Sequence, residues 1–147
     1  MNIQQINKSD AERVQIIVKN VDGGGSITTG LGVALVHASA STDGVSSVRA
    51  TAALQKGFVG IAAQDIAINA FGLVTAYGYA ASVLISHVGS SITITLGDTL
   101  KPGAVAGTFF SSLTDQAMST LIYKYVTAGS TNTLSAAAYV SGIVRAL

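Results

Sequence analysis

The chain has no cysteine, a single proline and few charged residues. Without cysteine it forms no disulfide and no thiolate, so its stability must come from packing, sheet closure or oligomerisation. Charged residues make up 10% of the sequence, whereas an average soluble domain has about 25%. So low a proportion is typical of a membrane protein. It is also typical of a protein whose surface is built from small residues and partly covered by neighbours.

Long hydrophobic runs are also missing. A membrane-spanning helix needs ~20 mostly apolar residues in a row, and the most apolar stretches, Leu31–Ala40 and Phe71–Ile85, are interrupted by Gly, Ser, Thr, Tyr or His. A transmembrane β-barrel is a weaker alternative, because the predicted strands are short and lack aromatic girdles at their ends. The polar N-terminus has no basic region followed by an apolar one. We therefore expect neither a membrane partner nor a secretory signal.

Positive charge is not concentrated anywhere in the chain. The formal net charge is +1, and the eight lysines and arginines are scattered from Lys8 to Arg145. Nucleic-acid binding requires a concentrated basic surface. We therefore expect no nucleic-acid partner.

Short apolar segments separated by glycine dominate the region from Gly57 to Gly103. Each segment is too short for an ordinary helix and has the length of a strand, and glycine permits the turns between strands. Alternating patterns also predict strands at Arg13–Val21, Leu31–Val36, Ser47–Leu54 and Tyr139–Leu147. The sequence therefore predicts an all-β fold, a small β-barrel formed by residues 13–147 as one domain, with residues 1–12 as an extended N-terminal arm.

Several local predictions accompany this fold. We expect two strands, Phe71–Tyr77 and Ala80–Val88, joined by a bend at Gly78, and we place Pro102 in a turn. Residues 64–70 fit either a helical turn or a loop. Residues 133–138 are predicted to form a short turn of helix.

No set of catalytic or metal-binding residues emerges from the sequence. His37 and His87 lack the spaced partners that a zinc or hydrolytic site requires, and aspartates such as Asp98 fall in predicted turns, where they bond to local backbone amides. The Gly23–Gly25 run lacks the residues that complete a phosphate-binding loop. We therefore expect no enzyme activity, no metal and no cofactor.

The aromatic residues are spread along the chain. Carbohydrate binding would require the tyrosines to form an exposed platform. We favour half-buried rings with solvent-facing hydroxyls instead. The tyrosines are Tyr77, Tyr79, Tyr123, Tyr125 and Tyr139.

A series of short glycine-containing motifs in the middle third resembles the head decoration (cement) proteins of tailed bacteriophages. The N-terminal strand and the closing Gly142-Ile143-Val144-Arg145 fit this family more loosely. The motifs are Gly60-Ile61-Ala62, Asp65-Ile66-Ala67, Phe71-Gly72-Leu73-Val74, Gly78-Tyr79 and Gly97-Asp98-Thr99-Leu100.

This resemblance implies a β-tulip-like barrel on the outer surface of the virion capsid. Such proteins bind the major capsid protein of an assembled head, commonly as homotrimers, and stabilise the head by bridging capsid subunits. On this hypothesis the N-terminal arm orders on the capsid. The residues that we expect to contact it are Ile3, Ile6, Lys8 and Arg13.

Two other functions stay open at this stage. One is a glycan- or receptor-binding β-domain of a head fibre or surface adhesin, with its site around Tyr77, Tyr79 or Tyr123. The other, which ranks last, is a small enzyme in which His37 or His87 meets a carboxylate.

Overall fold

The computed structural model describes residues 13–36, 44–86, 92–94, 99–103, 105–111, 123–125, 132–134 and 137–146. These residues form eleven β-strands and one 3-10 helix at Ala52–Gly57. Within these ranges no helix is long and apolar enough to cross a membrane. The strands are β1 (Val14–Asn20), β2 (Gly32–Leu35), β3 (Ser46–Arg49), β4 (Phe58–Ala62), β5 (Phe71–Ile85), β6 (Ile92–Ile94), β7 (Thr99–Pro102), β8 (Phe109–Ser111), β9 (Tyr123–Tyr125), β10 (Asn132–Leu134) and β11 (Ala138–Arg145).

Five strands close into a barrel in the order β1-β3-β2-β4-β5, because β1 also pairs with β5. The β1–β3 pair is parallel and the other four pairs are antiparallel. The predicted all-β fold with a small closed barrel is therefore confirmed. Residues 1–12, predicted to form the arm, lie outside the described residues.

The long strand β5 also belongs to a second ring of pairings. This ring runs β5-β11-β9-β7-β8 and returns to β5 through a parallel contact between Ile85 and Phe109. β1 pairs with β5 from Phe71 to Tyr77, and β11 pairs with it from Tyr77 to Ile85. The start of β1 and the end of β11 therefore meet at Tyr77.

Two hydrophobic clusters fill the structure, and β4 separates them. Ile61 belongs to the cluster that includes Val83 and Val144, whereas its neighbour Ala62 belongs to the cluster that includes Val18. This division follows from the alternation of side chains along a strand. Full burial of one large aliphatic side chain contributes about 1.5–3 kcal/mol. Large side chains that are at most 2% exposed in the two clusters are Val18, Ile27, Val33, Ile61, Ile66, Val74, Val83, Ile85, Leu100 and Val144.

The predicted strand Ser47–Leu54 is wrong in its second half. β3 ends at Arg49, and a 3-10 helix follows at Ala52–Gly57. In this helix Leu54 packs against the hydrophobic cluster that contains Ile61. A helical turn and a strand can both bury one apolar residue in so short a segment, so the apolar pattern alone does not distinguish them.

The predicted break at Gly78 is also wrong. β5 is continuous from Phe71 to Ile85 and includes Gly78 at φ +104°, because β11 pairs across this position through Val144. The ambiguous 64–70 segment forms a loop, and its Ile66 bridges to Ile27.

Two smaller predictions need correction. Pro102 is the last residue of β7 and lies opposite Phe109, rather than in a turn. The end of a strand tolerates proline, because few ladder hydrogen bonds are lost there. Asn132–Leu134 forms a strand paired with β6, rather than the start of a helical turn.

Gly60 provides a test of this packing. It has φ +148°, and a Cβ built on it would overlap the carbonyl group of Thr75 in the neighbouring strand. Gly25 has φ +129°, but nothing lies within 4 Å of a Cβ built on it. It is therefore a control in which the backbone strain is similar and the added Cβ meets no neighbour. We expect Gly60→Ala to lower the free energy of unfolding by about 2 kcal/mol more than Gly25→Ala, as measured by urea denaturation. Equal losses would contradict the close approach of β4 to β5.

Candidate functional site

Exposed apolar and aromatic side chains surround the point where β1, β5 and β11 meet. Val14 lies opposite Tyr77, and Ile143 lies opposite Tyr79. Each of these four side chains is between 38% and 41% exposed. We name them the tyrosine patch. Tyrosine combines a large apolar ring with a polar hydroxyl and is common at binding surfaces.

A small groove of about 130 Å³ lies next to the patch. The end of β4 and the middle of β5 form its walls. Ala62, Ala63, Ala80 and Ala81 line it, so small side chains leave room for the groove. Its polar lining residues are Arg13, Thr29, Thr75, Tyr79 and Ser82.

The groove offers one cation, hydroxyl groups and one aromatic ring. Its small size, well below the ~300 Å³ of a typical drug-sized pocket, suits a small polar molecule such as a single sugar ring. Thr75 is 4% exposed, so its position is fixed by the surrounding strands. This set of groups can orient a hydroxylated or anionic ligand.

Asp65 fixes one side of this groove. Its Oδ1 accepts hydrogen bonds from the Thr29 backbone amide at 2.7 Å and from the Thr29 hydroxyl at 2.9 Å. The bond from the Thr29 amide, with the hydroxyl bond adding to it, holds the pKa of the Asp65 carboxyl below its usual value. Because the Thr29 hydroxyl already donates to Asp65, it is oriented to accept a hydrogen bond from a ligand.

A separate polar cluster joins two loops of the five-stranded barrel. Asn20 is fully buried, and its Nδ2 donates to the carbonyls of Ile66 at 2.9 Å and Gly25 at 3.1 Å. The Asn20 Oδ1 accepts the Asp22 amide at 2.8 Å. Both ends of the side chain are thus satisfied, as a buried polar group requires, and Asn20 has a structural role.

Asp22 connects this cluster to β3. Its Oδ2 accepts from Arg49 Nε at 2.8 Å and from the Arg49 backbone amide at 2.9 Å, and its Oδ1 accepts the Gly24 amide at 2.7 Å. The side-chain hydrogen bond from Arg49, together with these amides, lowers the pKa of Asp22 to about 2 despite partial burial. The prediction that aspartates in turns bond to local amides holds for Asp22.

The structure places only one of the predicted capsid-binding residues. Arg13 is exposed, lines the groove and directly precedes Val14 of the tyrosine patch. Ile3, Ile6 and Lys8 lie outside the described residues, as do His37, His87 and Asp98. Within the described ranges, no group of three or more His, Cys, Asp or Glu residues could hold a metal ion.

Some residues of this surface were not predicted from the sequence. Val14 and Ile143 resemble core residues in an alternating strand, and only the pairing with β5 shows that they are exposed. Thr29 and Ser82 have no motif that marks them. The Gly78-Tyr79 motif was the one available signal, because it placed an aromatic residue directly after a glycine, and that glycine has a positive φ.

Comparison of the chain with models of protein families, with curated proteins and with solved structures finds no match. No relative therefore assigns a function to the tyrosine patch or to the groove.

The Asp22–Arg49 contact predicts a pH dependence of stability. The folded-state pKa of Asp22, about 2, lies below its ordinary value of 3.8. The contact therefore stabilises the fold above about pH 4, and this contribution is lost as the pH falls toward 2. We expect Asp22→Asn to lower the free energy of unfolding at pH 7 by about 1–3 kcal/mol.

Urea denaturation between pH 7 and pH 2 measures this effect. The difference between the wild type and Asp22→Asn isolates Asp22 from other groups, including Asp65, whose lowered pKa acts in the same direction. We expect this difference to shrink below pH 4. A difference that is the same at pH 7 and pH 2 would show that the Asp22 charge contributes nothing.

Proposed function

We propose that this protein is a capsid decoration (cement) protein, which binds the outer surface of an assembled phage head and bridges its subunits. The observation that carries the proposal is the tyrosine patch, located where the chain enters β1. Residues 1–12 are covalently joined to this surface through Arg13. The motif resemblance in the middle third of the sequence supports the same function.

The composition of the patch suits a protein–protein contact. Val14, Tyr77, Tyr79 and Ile143 present apolar surface that gains free energy when it leaves water. Tyrosine and arginine are enriched among the residues that dominate binding energy at interfaces. On this proposal Tyr77, Tyr79 and the adjacent Arg13 form the centre of the contact with the major capsid protein.

The cement mechanism follows from mass action. A ligand that binds the assembled head and not the free subunits stabilises assembly in proportion to the logarithm of its free concentration over its dissociation constant. On this proposal the protein acts as a homotrimer, so that each trimer holds several capsid subunits. Ile3, Ile6 and Lys8 remain proposed contacts of the N-terminal segment.

The groove favours a second candidate function, the binding of a glycan. Arg13, Thr29, Thr75 and Ser82 supply hydrogen-bonding groups, and Tyr79 supplies an aromatic ring. Sugars are recognised by this combination of polar groups and one apolar surface. The groove and the tyrosine patch share only Tyr79, so the two functions can be tested separately.

The cement function predicts capsid binding. We expect the full chain to co-sediment with heads of the phage that encodes it, and to have the mass of a trimer in solution. Deletion of residues 1–12, or the double change Tyr77→Ser with Tyr79→Ser, should weaken head binding at least tenfold, because each removes proposed contact surface.

Tyr139→Ser is the matched control, because Tyr139 is a 58% exposed tyrosine outside the patch. It should leave head binding unchanged. If the double tyrosine variant and the deletion both bind heads as the wild type does, the proposed contact surface is wrong. If the wild-type chain does not bind heads, the cement function itself is wrong.

The glycan function predicts ligand binding in the groove. If it binds a saccharide, the wild type gives a reproducible hit on a glycan array, and Thr75→Val weakens that hit at least tenfold by replacing a hydroxyl with a methyl group of similar size. Thr28→Val is the control, because Thr28 is exposed beside the groove-lining Thr29 but does not itself line the groove. An array without any hit would remove the glycan function.

A further inference from the structure

The groove lies along a stretch of β5 that has no neighbouring strand on one edge among the described residues. Thr75 pairs with β4 on one edge of β5 and with β1 on the other. β11 continues the β4 edge, because Tyr77 pairs with both β1 and β11. On the β1 edge, the next strand contact after Tyr77 is made at Ile85 by β8. Groove residues 79–82 lie in this interval, so the groove opens where β5 lacks a neighbour.

A buried hydroxyl group faces the groove without a partner in the part of the chain that the structure describes. Thr75 is 4% exposed, and its hydroxyl makes no hydrogen bond to any described residue. Thr75 lies directly opposite Ile61 of β4, and side chains of directly opposed residues lie on the same face of a sheet. Both residues line the groove. Buried polar groups are nearly always hydrogen-bonded, so Thr75 indicates a ligand that supplies the missing partner.

Arg13 carries the only charge among the described residues that line the groove. It directly precedes Val14, which lies opposite Tyr77, so it marks one end of the groove. No ion pair joins Arg13 to a described residue, and the two aspartates in the described ranges bind other residues. A guanidinium group binds a carboxylate through two parallel hydrogen bonds. This end of the groove therefore suits a carboxylate.

The other end of the groove differs in its chemistry. Ser82 lies there, farther along β5 than Tyr77, and a Cβ built on Gly30 would be 3.2 Å from its Oγ. Thr29 directly precedes Gly30, so the two hydroxyl groups lie at the same end. The Thr29 hydroxyl donates to Asp65 at 2.9 Å, so it can accept a hydrogen bond from a ligand hydroxyl. The negative charge of Asp65 disfavours an anionic group at this end.

We propose that the groove binds the ring of a uronic acid, a sugar that bears a carboxylate. This inference rests on the second proposed function, glycan binding, and names the class of sugar. A uronic acid carries its carboxylate on one side of the ring and hydroxyl groups on the other. The carboxylate pairs with Arg13, and the ring hydroxyls bond to Thr75 and Thr29. The apolar C–H face of the ring packs on Tyr79.

Two related ligands fit the groove less well. A neutral hexose leaves the guanidinium of Arg13 without an anion. A sugar phosphate carries about two negative charges, whereas the described lining residues supply one cation and Asp65 lies beside the opposite end. A single carboxylate therefore matches the charge of the groove better than either alternative.

Three small probes test the ligand class by amide NMR titration of the full chain. They are methyl glucuronide, methyl glucoside and acetate, which separate the carboxylate from the sugar ring. We expect methyl glucuronide to bind about tenfold more tightly than either of the others, because only it engages both Arg13 and the hydroxyl groups. The shifted amide signals should include those of Thr75 and residues 79–82.

Arg13→Gln tests the role of the charge. Because glutamine is polar but uncharged, this variant should lose the preference for glucuronide over glucoside and bind glucoside as the wild type does. Lys19→Gln is the matched control, since it removes a cation of β1 that does not line the groove. It should leave the preference unchanged.

Substitutions of Thr75 test the buried hydroxyl in two ways. Thr75→Val should weaken glucuronide binding about tenfold, whereas Thr75→Ser keeps the hydroxyl and should bind glucuronide as the wild type does. Without ligand, Thr75→Val should unfold at the same urea concentration as the wild type or a higher one, because a buried hydroxyl without a partner does not stabilise the fold.

Four results would overturn the inference. The first is equal binding of glucuronide and glucoside, and the second is acetate binding as tight as that of glucuronide. The third is a lower urea midpoint for ligand-free Thr75→Val, which would show that the hydroxyl has a partner within the chain. The fourth is glucuronide binding only after deletion of residues 1–12, which would show that this segment fills the groove.

The probes also separate this inference from the proposed functions. If glycans bind in the groove but glucuronide has no advantage over glucoside, the glycan function stands and this inference alone is wrong. If neither methyl glycoside binds and the glycan array gives no hit, both are wrong. Head binding tests the cement function independently of either result.

Discussion

The continuous pairing of β5 is the constraint on which the rest of the structure depends. This strand contributes to both rings of pairings, with β1 and β4 along its first half and β11 along its second. Gly78, with its positive φ, lies inside the strand rather than in a turn. Without this continuity, β1 and β11 would have no common partner, and the surface around Tyr77 would not form.

Close backbone packing supports the shared strand. Gly60 lets β4 approach β5 at Thr75, and Gly72 lets Ile66 pack directly on the backbone of β5. The polar cluster of Asn20 fixes the loops at one end of the five-stranded barrel. These contacts use small residues and satisfied hydrogen bonds, which suits a chain that has no cysteine and few charges.

The proposed binding surfaces follow from the same arrangement. The tyrosine patch occupies the junction of β1, β5 and β11, and the groove lies beside it. Arg13 borders both. A barrel provides a rigid frame for such contacts, so little conformational entropy is lost when a partner binds. Such a rigid frame suits the proposed cement function, in which many copies bind one head.

The sequence by itself determined the all-β class and most strand positions, because alternation and glycine spacing are local properties of a chain. For this reason β1 and β11 were predicted to within two residues at each end. It did not determine that Phe71–Ile85 is one strand, since that depends on the partner β11. Arg13 was predicted as a contact residue, but Val14 and Ile143 were not. An alternating pattern shows which residues share a face, whereas only strand pairing decides which face and which edge remain exposed to solvent.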